Sequence, residues 1–218
     1  MTTIPKIIHQ TWKTEKIPSC YAKFVQSWKT FHPDWEYILW TDEDNRQFIS
    51  EYYPWFLPVY DKYPKNIQRA DAIRYFILHH FGGLYVDLDF ECRQNFDGLF
   101  QRHTFIVGQE PIVHANQVYK RKQIICNALI ASVPEHPVWT NVFKELIKHQ
   151  HEKNVLWSTG PGLFDDALRP YIEAYHLYIG RPDMFYPKVA KRYPQHSVQE
   201  KDVWAVHYWA NSWVCSDI

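Results

Sequence analysis

Residues 67–90, IQRADAIRYFILHHFGGLYVDLDF, carry the most informative secondary-structure pattern of the chain. Residues 67–81 repeat apolar side chains at the spacing of an amphipathic helix, and the pair Gly82-Gly83 ends that helix. Residues 84–90 alternate in the manner of a strand. A helix that passes through a glycine turn directly into a strand is typical of a layered α/β sheet.

The rest of the chain continues this alternation of strands and helices. Further strands are predicted over 4–10, 36–40, 104–108, 124–131 and 203–208. Further helices are predicted over 19–31, from Thr41 or Asp42 to Tyr52, over 136–150 and over 161–176, with Ser19 and Asn66 as N-caps of two helices. This order predicts an α/β fold.

Segment 52–64 is rich in aromatic rings and contains three prolines, Pro54, Pro58 and Pro64. Proline at this density breaks regular helix. We therefore predict an irregular connector that folds onto the core. A membrane-surface patch or an acceptor-binding patch is the alternative.

Composition and charge exclude several classes of function. The 24 basic residues equal the 24 acidic ones, so we expect neither a nucleic-acid partner nor a polybasic membrane tether. No transmembrane segment is expected, because no apolar run approaches about 18 residues. No secretory signal is expected, because no apolar h-region precedes the first predicted strand. The four cysteines, Cys20, Cys92, Cys126 and Cys215, have no metal-site spacing. We expect free thiols in a soluble, cytoplasmic protein.

Two carboxylates, Asp87 and Asp89, end the predicted strand 84–90. Alternate side chains of a strand point to the same side, so both should face one cleft. Like charges this close repel each other unless a cation or strong donors lie between them. Mg²⁺ or Mn²⁺, held by carboxylates and substrate phosphates, would meet this need. A D-x-D pattern alone is common in solvated turns, so its surroundings decide its meaning.

An arginine lies in the middle of the apolar face of helix 67–81. At about 100° per residue, Arg74 falls among residues such as Ile77, and Asp71 lies at the edge of the same face. A buried guanidinium needs a partner, and Asp71 is placed to meet it. The pair is either a salt bridge that braces the helix or a grip on a polar ligand. Beside the D-x-D we favour the second interpretation.

The pattern Arg69-Ala70-Asp71-x-x-Arg74-Tyr75, followed by Gly82-Gly83-Leu84-Tyr85-x-Asp87-x-Asp89, resembles the DXD sugar-binding region of glycosyltransferase family 32. Segments 4–12 and 33–40 are similar to blocks of the same family. The family includes initiating α-mannosyltransferases of the yeast type and bacterial capsule enzymes, and the catalytic domains of large clostridial glucosylating toxins share the motif. The resemblance is dense over residues 4–90 and thin afterwards.

This resemblance implies a single GT-A catalytic domain over residues 1–218, with one Rossmann-like mixed sheet flanked by helices. The donor half would cover about 1–110, and the acceptor half with a closing segment would cover 111–218. The implied cofactor is Mn²⁺ (or Mg²⁺). The implied partners are a UDP- or GDP-sugar donor and an acceptor that is a glycan or lipid-linked saccharide. Peripheral membrane contact and the oligomeric state stay open.

The resemblance also assigns roles to individual residues. Asp87 and Asp89 would hold the metal, and His207 would be a third ligand because neutral imidazole binds Mn²⁺ well. The predicted catalytic set is Asp71, Arg74, Asp87 and Asp89. Nucleotide-sugar contacts are assigned to His9, Gln10, Thr11, Trp12, Asp71, Arg74, Tyr85 and Asp87, and to Ser212 and Trp213 of a closing H-x-x-x-x-S-W element. His9 also has an ordinary interpretation as a satisfied polar residue, and Trp12 as a core ring.

Residues between these blocks carry weaker signals. Gln109-Glu110, Asn127 and Thr159-Gly160-Pro161-Gly162 are predicted to be acceptor-side architecture or turns. Asp165 and Asp166 are predicted to lie in the first turn of the helix over 161–176, where a favourable interaction with the helix dipole explains them.

The reaction implied is transfer of a sugar from a nucleotide diphosphate to an acceptor hydroxyl, with retention implied by the family alone. Two other classes of function remain as alternatives. A nucleotidyltransferase could use the same D-x-D, although the chain has no glycine-rich, lysine-containing phosphate loop. A non-catalytic sugar-binding module would leave a buried arginine beside paired carboxylates unexplained.

Overall fold

The computed structural model describes residues 3–189 and 199–210. The strands are β1 Ile7–Thr11, β2 Glu36–Trp40, β3 Gly83–Val86, β4 Phe90–Cys92, β5 Phe105–Gln109, β6 Ile125–Ser132, β7 Tyr178–Gly180 and β8 Ala205–His207. The helices are α1 Ser19–Phe31, α2 Asp42–Tyr52, α3 Leu57–Lys62, α4 Asn66–Phe81, α5 Asp97–Phe100, α6 Ile112–His114, α7 Trp139–Lys148, α8 Val155–Ser158, α9 Pro161–Leu168 and α10 Pro182–Phe185. A π-helical turn covers Ala115–Tyr119, and 3₁₀ turns cover Arg169–Tyr171 and Glu200–Asp202.

Six strands form one mixed sheet in the order β2-β1-β3-β6-β5-β7, and β4 pairs with β8 in a separate antiparallel ribbon. Strands β2, β1 and β3 are parallel, whereas β6 runs antiparallel to both of its neighbours. Val86, the last residue of β3, pairs with Leu129 in the middle of β6, so the first residues of β6 extend past the end of β3. The amide of Asp87 donates to the carbonyl of Ala128 at 3.0 Å. The first half of β6 therefore lies next to the D-x-D.

Side-chain alternation along β3 divides the core into two layers. Leu84 and Val86 pack in one layer with Trp28 of α1, and Tyr85 packs in the other. Helix α4 lies in the second layer and is buried on nearly every side, so it is a core helix as well as the carrier of Arg74. The predicted layered α/β arrangement is confirmed, with the small β4–β8 ribbon added to it.

The helix starts agree with the sequence in one case and differ in two. Thr41 caps α2 as predicted, since its hydroxyl accepts from the Asp44 amide and the Asp44 carboxylate accepts from the Thr41 amide. Ser19 and Asn66 are not N-caps but the first helical residues, after Pro18 and Lys65. The side chain of Asn66 instead accepts a hydrogen bond from Arg69.

Segment 52–64 folds onto the core, as predicted, but it is not wholly irregular because it contains α3. Pro58 lies in the first turn of α3, where a missing amide hydrogen costs no helical bond. Tyr53, Phe56 and Tyr60 are buried, whereas Trp55 is exposed.

The helix predicted over 161–176 is too long, since α9 ends at Leu168 and a 3₁₀ turn follows. Pro170 explains the early end, because proline has no amide hydrogen to donate and its ring clashes with the carbonyl of the residue four positions earlier, so the α-helical hydrogen bonds cannot continue through it. Two short strands, β4 and β7, were not predicted, since three residues carry too little pattern.

No helix in residues 3–189 and 199–210 is long and apolar enough to cross a membrane. Cys20, Cys92 and Cys126 are free thiols, and Cys215 lies outside the described residues.

Candidate active site

The D-x-D lies in a turn and not within a strand. Strand β3 ends at Val86, and Asp87-Leu88-Asp89 turn into β4, with the Phe90 amide donating to the Asp87 carbonyl at 3.1 Å. Strand alternation was therefore the wrong reason for expecting the carboxylates on one side. The turn nevertheless brings them together, because one ligand atom each of Asp87, Asp89 and His207 lies within 4.8 Å of the others.

The β4–β8 ribbon brings His207 to this cluster. His207 lies opposite Phe90 in the ribbon, and its ring stacks on the Phe90 ring with centroids 4.6 Å apart. Its Nε2 lies 3.0 Å from Asp89 Oδ1, and the Ala210 amide donates to Asp89 Oδ2 at 2.8 Å. Both oxygens of the Asp89 carboxylate are therefore held in fixed positions.

Charges within this cluster shift the protonation of its members. Burial alone would lower the pKa of His207, but the charge and hydrogen bond of Asp89 raise it above its usual value. Burial would raise the pKa of Asp89, but His207 and the Ala210 amide hold it below its usual value. Burial raises the pKa of Asp87, and the charge of Asp89 adds to that rise against the opposing effect of Arg74. A bound cation would favour the ionised form of both carboxylates.

The donor atoms fit a divalent cation. Nδ1 of His207 is buried and has no hydrogen-bond partner among the described residues. Such an orphaned nitrogen is costly unless something occupies it. Carboxylate oxygens with one imidazole nitrogen suit Mn²⁺, and the oxygens suit Mg²⁺.

Arg74 lies buried between the carboxylates of Asp71 and Asp87. It therefore forms the predicted salt bridge within the helix and also contacts the predicted ligand-binding D-x-D. Its Nη2 is 3.0 Å from Asp71 Oδ1, and its Nη1 is 3.2 Å from Asp87 Oδ1. Nη1 also donates to the Asn127 carbonyl at 2.8 Å, and the guanidinium lies 4.5 Å from the centre of the Tyr85 ring. The helix salt bridge exists, and the same guanidinium extends it to the D-x-D.

Asp71 is held by two residues from the second half of the chain, Asn127 and Thr159. The Asn127 amide donates to Asp71 Oδ1 at 3.0 Å, and the Thr159 hydroxyl donates to Oδ2 at 3.3 Å. Burial, opposed by Arg74, raises the pKa of Asp71 to about 6. Tyr75, unassigned in the sequence, donates its hydroxyl to the Thr159 carbonyl at 2.8 Å and accepts from the Asn127 amide at 2.9 Å. The weak sequence signals at Asn127 and Thr159 therefore mark partners of Asp71.

The end of β1 supports Asp87 from the other side. The Tyr85 hydroxyl donates to Asp87 Oδ1 at 3.0 Å and contacts the Thr11 hydroxyl at 3.0 Å. The Gln10 amide lies 3.3 Å from the Asp87 carbonyl, and its oxygen accepts from the Tyr37 hydroxyl at 2.9 Å. Gln10, Thr11 and Tyr85 thus come together with the D-x-D.

His9 and Trp12 lie in ordinary packing positions. His9 is fully buried, its Nε2 donates to the Gly82 carbonyl at 3.0 Å, and its Nδ1 accepts from Trp40 at 3.2 Å. Both ring nitrogens are therefore taken by the protein itself, and burial lowers the pKa of His9 to about 4. Trp12 is half-buried and packs edge-to-face on Tyr21 at 5.7 Å. Ser212 and Trp213 lie outside the described residues.

Trp209 was also not assigned from the sequence, yet it lies against the cluster. Its ring centroid is 4.2 Å from that of His207 and 4.3 Å from that of His114. His114 in turn lies 3.4 Å from the carboxylate of Glu110, which accepts from Tyr119 at 3.2 Å. The weak signal at Gln109-Glu110 thus marks a buried polar group near the cluster of Asp87, Asp89 and His207.

Asp165 has a role that the helix dipole does not supply. It is fully buried, accepts from the Ile125 amide at 3.0 Å, and pairs with Arg121 at 2.7 Å and Arg169 at 2.6 Å. It does not lie in the first turn of α9. The dipole explanation is therefore replaced by a structural ion-pair cluster at the start of β6.

Solved structures with a similar fold define the class of the protein. The chain aligns with the PaToxG glycosyltransferase at a TM-score of 0.60 and 19% identity, over 79% of this chain and 72% of that one. It aligns with the galactosyltransferase LgtC at a TM-score of 0.52 and 14% identity, over 94% and 87%. The predicted GT-A glycosyltransferase fold is confirmed.

Sequence relatives define the family. The family described as "Glycosyltransferase sugar-binding region containing DXD motif" matches residues 18–106. The chain is 38% identical over 219 residues to inositol phosphoceramide mannosyltransferase 2 of Schizosaccharomyces pombe, covering 98% of this chain and 59% of that protein. It is 43% identical over 164 residues to a mannosyl phosphorylinositol ceramide synthase of Saccharomyces cerevisiae, covering 72% and 40%. The chain belongs to the DXD glycosyltransferases of family 32, and it spans 59% and 40% of the length of these two relatives.

Proposed function

We propose that this protein is a metal-dependent glycosyltransferase that moves a hexose from a nucleotide diphosphate to a hydroxyl group of an acceptor. The observation that carries the proposal is the cluster of Asp87, Asp89 and His207, placed next to the buried guanidinium of Arg74. A diphosphate leaving group needs positive charge where its own charge develops, and this end of the sheet combines a cation site with a fixed cationic side chain.

The residues of the cluster would divide the work as follows. Asp87, Asp89 and His207 would hold Mn²⁺ or Mg²⁺, which when bound supplies Lewis-acid stabilisation of the diphosphate. Arg74 is already oriented by Asp71 and Asp87, so its electrostatic contribution needs no reorganisation during the reaction. Asp71 is fixed by Asn127 and Thr159 and would accept hydrogen bonds from sugar hydroxyls.

The names of the relatives suggest the donor and the acceptor. Both relatives are named for mannosyl transfer to inositol phosphoceramide, which supports a GDP-mannose donor and a phosphoinositol lipid head group as acceptor. A UDP-sugar donor and a glycan acceptor are the alternatives. Retention at the anomeric carbon is proposed from the family alone.

Calorimetric titration with GDP and with UDP, each with and without Mn²⁺, tests the nucleotide and metal parts of the proposal. We expect binding of one nucleotide that requires the metal. A panel of nucleotide-sugars with Mn²⁺ then identifies the donor by its slow hydrolysis in the absence of an acceptor. Nucleotide binding that is absent, or that ignores the metal, would contradict the proposal.

A further inference from the structure

The segment between β5 and β6, residues 111–123, has a surface that the donor site does not use. Its sequence, PIVHANQVYKRKQ, contains Lys120, Arg121 and Lys122 and no acidic residue. Ile112 is 62% exposed, the highest value of any large apolar side chain in the described part of the chain. A single exposed isoleucine is ordinary on a protein surface, but here it shares a short segment with a cationic run.

The buried side of segment 111–123 determines which side chains face outward. Ala115 and Tyr119 are buried, and the Tyr119 hydroxyl donates to the carboxylate of Glu110. The segment then turns at Lys120, whose φ of 57° is left-handed. Lys120 and Lys122 are exposed beyond this turn.

The three cationic residues of the segment are not equivalent. Arg121 is engaged within the protein, since it pairs with Asp165 and with Asp166 at 2.7 Å each. Lys120 donates to the Gln117 carbonyl, and within the described ranges neither Lys120 nor Lys122 has a carboxylate partner. Two outward positive charges are therefore available for an anionic surface, as a local pair on a chain whose balanced net charge gives no polybasic tether.

Segment 111–123 lies at the same end of the sheet as the donor site. The Glu110 amide donates to the Ile124 carbonyl at 3.0 Å and closes the base of the segment. Three residues further on, the carbonyl of Asn127 accepts from Arg74. A surface that met this segment would therefore meet the end of the molecule that carries the D-x-D.

A second exposed apolar surface lies at the other end. It is a groove of about 580 Å³ lined by Trp55, His79, Lys144, Ile147 and Lys148, among other residues. His79 is in the last turn of α4, next to the start of β3, whereas the D-x-D follows the end of β3. Docking through this groove would turn the donor site away from the surface.

We propose that segment 111–123 docks the protein on an anionic lipid bilayer, with Ile112 among the head groups and Lys120 and Lys122 on anionic lipids. The proposal rests on the proposed transfer to a lipid head group, because such an acceptor hydroxyl is met only at the bilayer surface. Basic side chains near an anionic bilayer each strengthen binding by about fivefold, and a partly inserted isoleucine adds apolar burial.

Sedimentation with vesicles tests this docking. The whole chain is mixed with vesicles of phosphatidylcholine alone or of phosphatidylcholine with phosphatidylserine, at low and at high salt. We expect binding to the anionic vesicles that weakens with salt. The double variant Lys120→Gln/Lys122→Gln should bind the anionic vesicles about 25-fold more weakly than the wild type. The separate variant Ile112→Ser should also bind them more weakly than the wild type.

The double variant Lys144→Gln/Lys148→Gln is the matched control, because it removes the same charge from the groove at the opposite end. It should bind vesicles like the wild type. The docking proposal would be overturned by equal binding to neutral and anionic vesicles. It would also be overturned if the control lost as much binding as Lys120→Gln/Lys122→Gln. A wild type that binds no vesicles would overturn it as well.

Hydrolysis of the donor in solution separates this proposal from the proposed function. The variants of segment 111–123 should hydrolyse the nucleotide-sugar at the wild-type rate, since Ile112, Lys120 and Lys122 do not belong to the donor site. Hydrolysis without vesicle binding contradicts docking alone. Vesicle binding with no hydrolysis of any nucleotide-sugar contradicts the enzyme function and leaves the docking surface supported.

Discussion

Nε2 of His207 lies 3.0 Å from Oδ1 of Asp89, although 118 positions of sequence separate the two residues. The pairing of β8 with β4 makes this contact, because it places His207 opposite Phe90, the residue after Asp89. The proposed cation site therefore depends on a strand near the C-terminal end of the described chain as well as on the D-x-D turn.

Replacing Asp89 by Asn should remove the metal-dependent activity. The substitution keeps the shape of the side chain but removes the charge that pairs with His207 and that would bind the cation. We expect donor turnover to fall about 100-fold or more, together with loss of the Mn²⁺-dependent part of nucleotide binding in calorimetry.

Glu91→Gln is the matched control for Asp89→Asn. Glu91 lies two residues further on in β4, but its carboxylate accepts from Tyr208 and Arg93 and is not part of the cluster with His207. Turnover should stay within about threefold of the wild type, because substitutions away from the reacting groups have small effects. An equal loss in both variants would show that the metal assignment of Asp89 is wrong.

Replacing Arg74 by Met should destabilise the fold as well as the donor site. The change leaves the buried carboxylate of Asp71 without its cation and removes the partner of Asp87. We expect the free energy of unfolding in urea to fall by about 3–5 kcal/mol. Arg46→Met removes an exposed pair with Asp61 and should lower the free energy of unfolding far less, because solvent screens that pair. Similar losses in the two variants would contradict the burial argument.

The glycine turn between α4 and β3 should not tolerate a side chain. Gly83 has φ of 92°, and a Cβ there would lie 2.7 Å from the Ile7 carbonyl oxygen. Gly83→Ala should lower the free energy of unfolding by about 2 kcal/mol or more, because strain and a backbone clash add together.

Gly98→Ala provides the comparison for Gly83→Ala. Gly98 lies in α5, its conformation is not left-handed, and an added Cβ would meet nothing closer than 3.8 Å. We expect a gain of up to about 1 kcal/mol, because alanine restricts the unfolded chain and favours helix. Thermal or urea unfolding of both variants measures the two changes in the free energy of unfolding. Equal changes in Gly83→Ala and Gly98→Ala would refute the strain argument.

Stability should decrease in acid through the buried ring of His9. Its pKa is lowered from 6.5 to about 4, so between these values the unfolded chain binds a proton that the folded chain does not. The contribution is full above pH 6.5, falls as the pH drops, and reaches a loss of about 3 kcal/mol near pH 4.

Urea unfolding of the wild type and of His9→Gln at several pH values between 4 and 7 measures this contribution. The variant should lose less stability over that interval. His151→Gln, which changes an exposed histidine, should keep the wild-type slope. A wild-type slope in His9→Gln would show that other groups cause the acid sensitivity.

Local parts of the fold and the site were predictable from the sequence because they depend on neighbours in the chain. The span of α1, the capping of α2 and the Asp71–Arg74 pair each follow from spacing within one or two helical turns. The D-x-D was recognised, but as a strand and not as a turn, since two carboxylates separated by one residue fit both conformations. The helix predicted over 161–176 is too long because Pro170 cannot donate the next α-helical hydrogen bond.

The alternation of the main strands and helices and the residues of the D-x-D and of α4 follow from the sequence, because periodicity, glycine turns and a motif of fixed spacing are local properties. The GT-A fold followed from the resemblance to the family. The contact of His207 with Asp89, the hydrogen bonds of Asn127 and Thr159 to Asp71, and the contacts of both His9 ring nitrogens with Trp40 and Gly82 are visible only in the folded chain. These contacts depend on which strands pair and in what register. That choice is made by the packing of the whole core, and no short stretch of the chain encodes it.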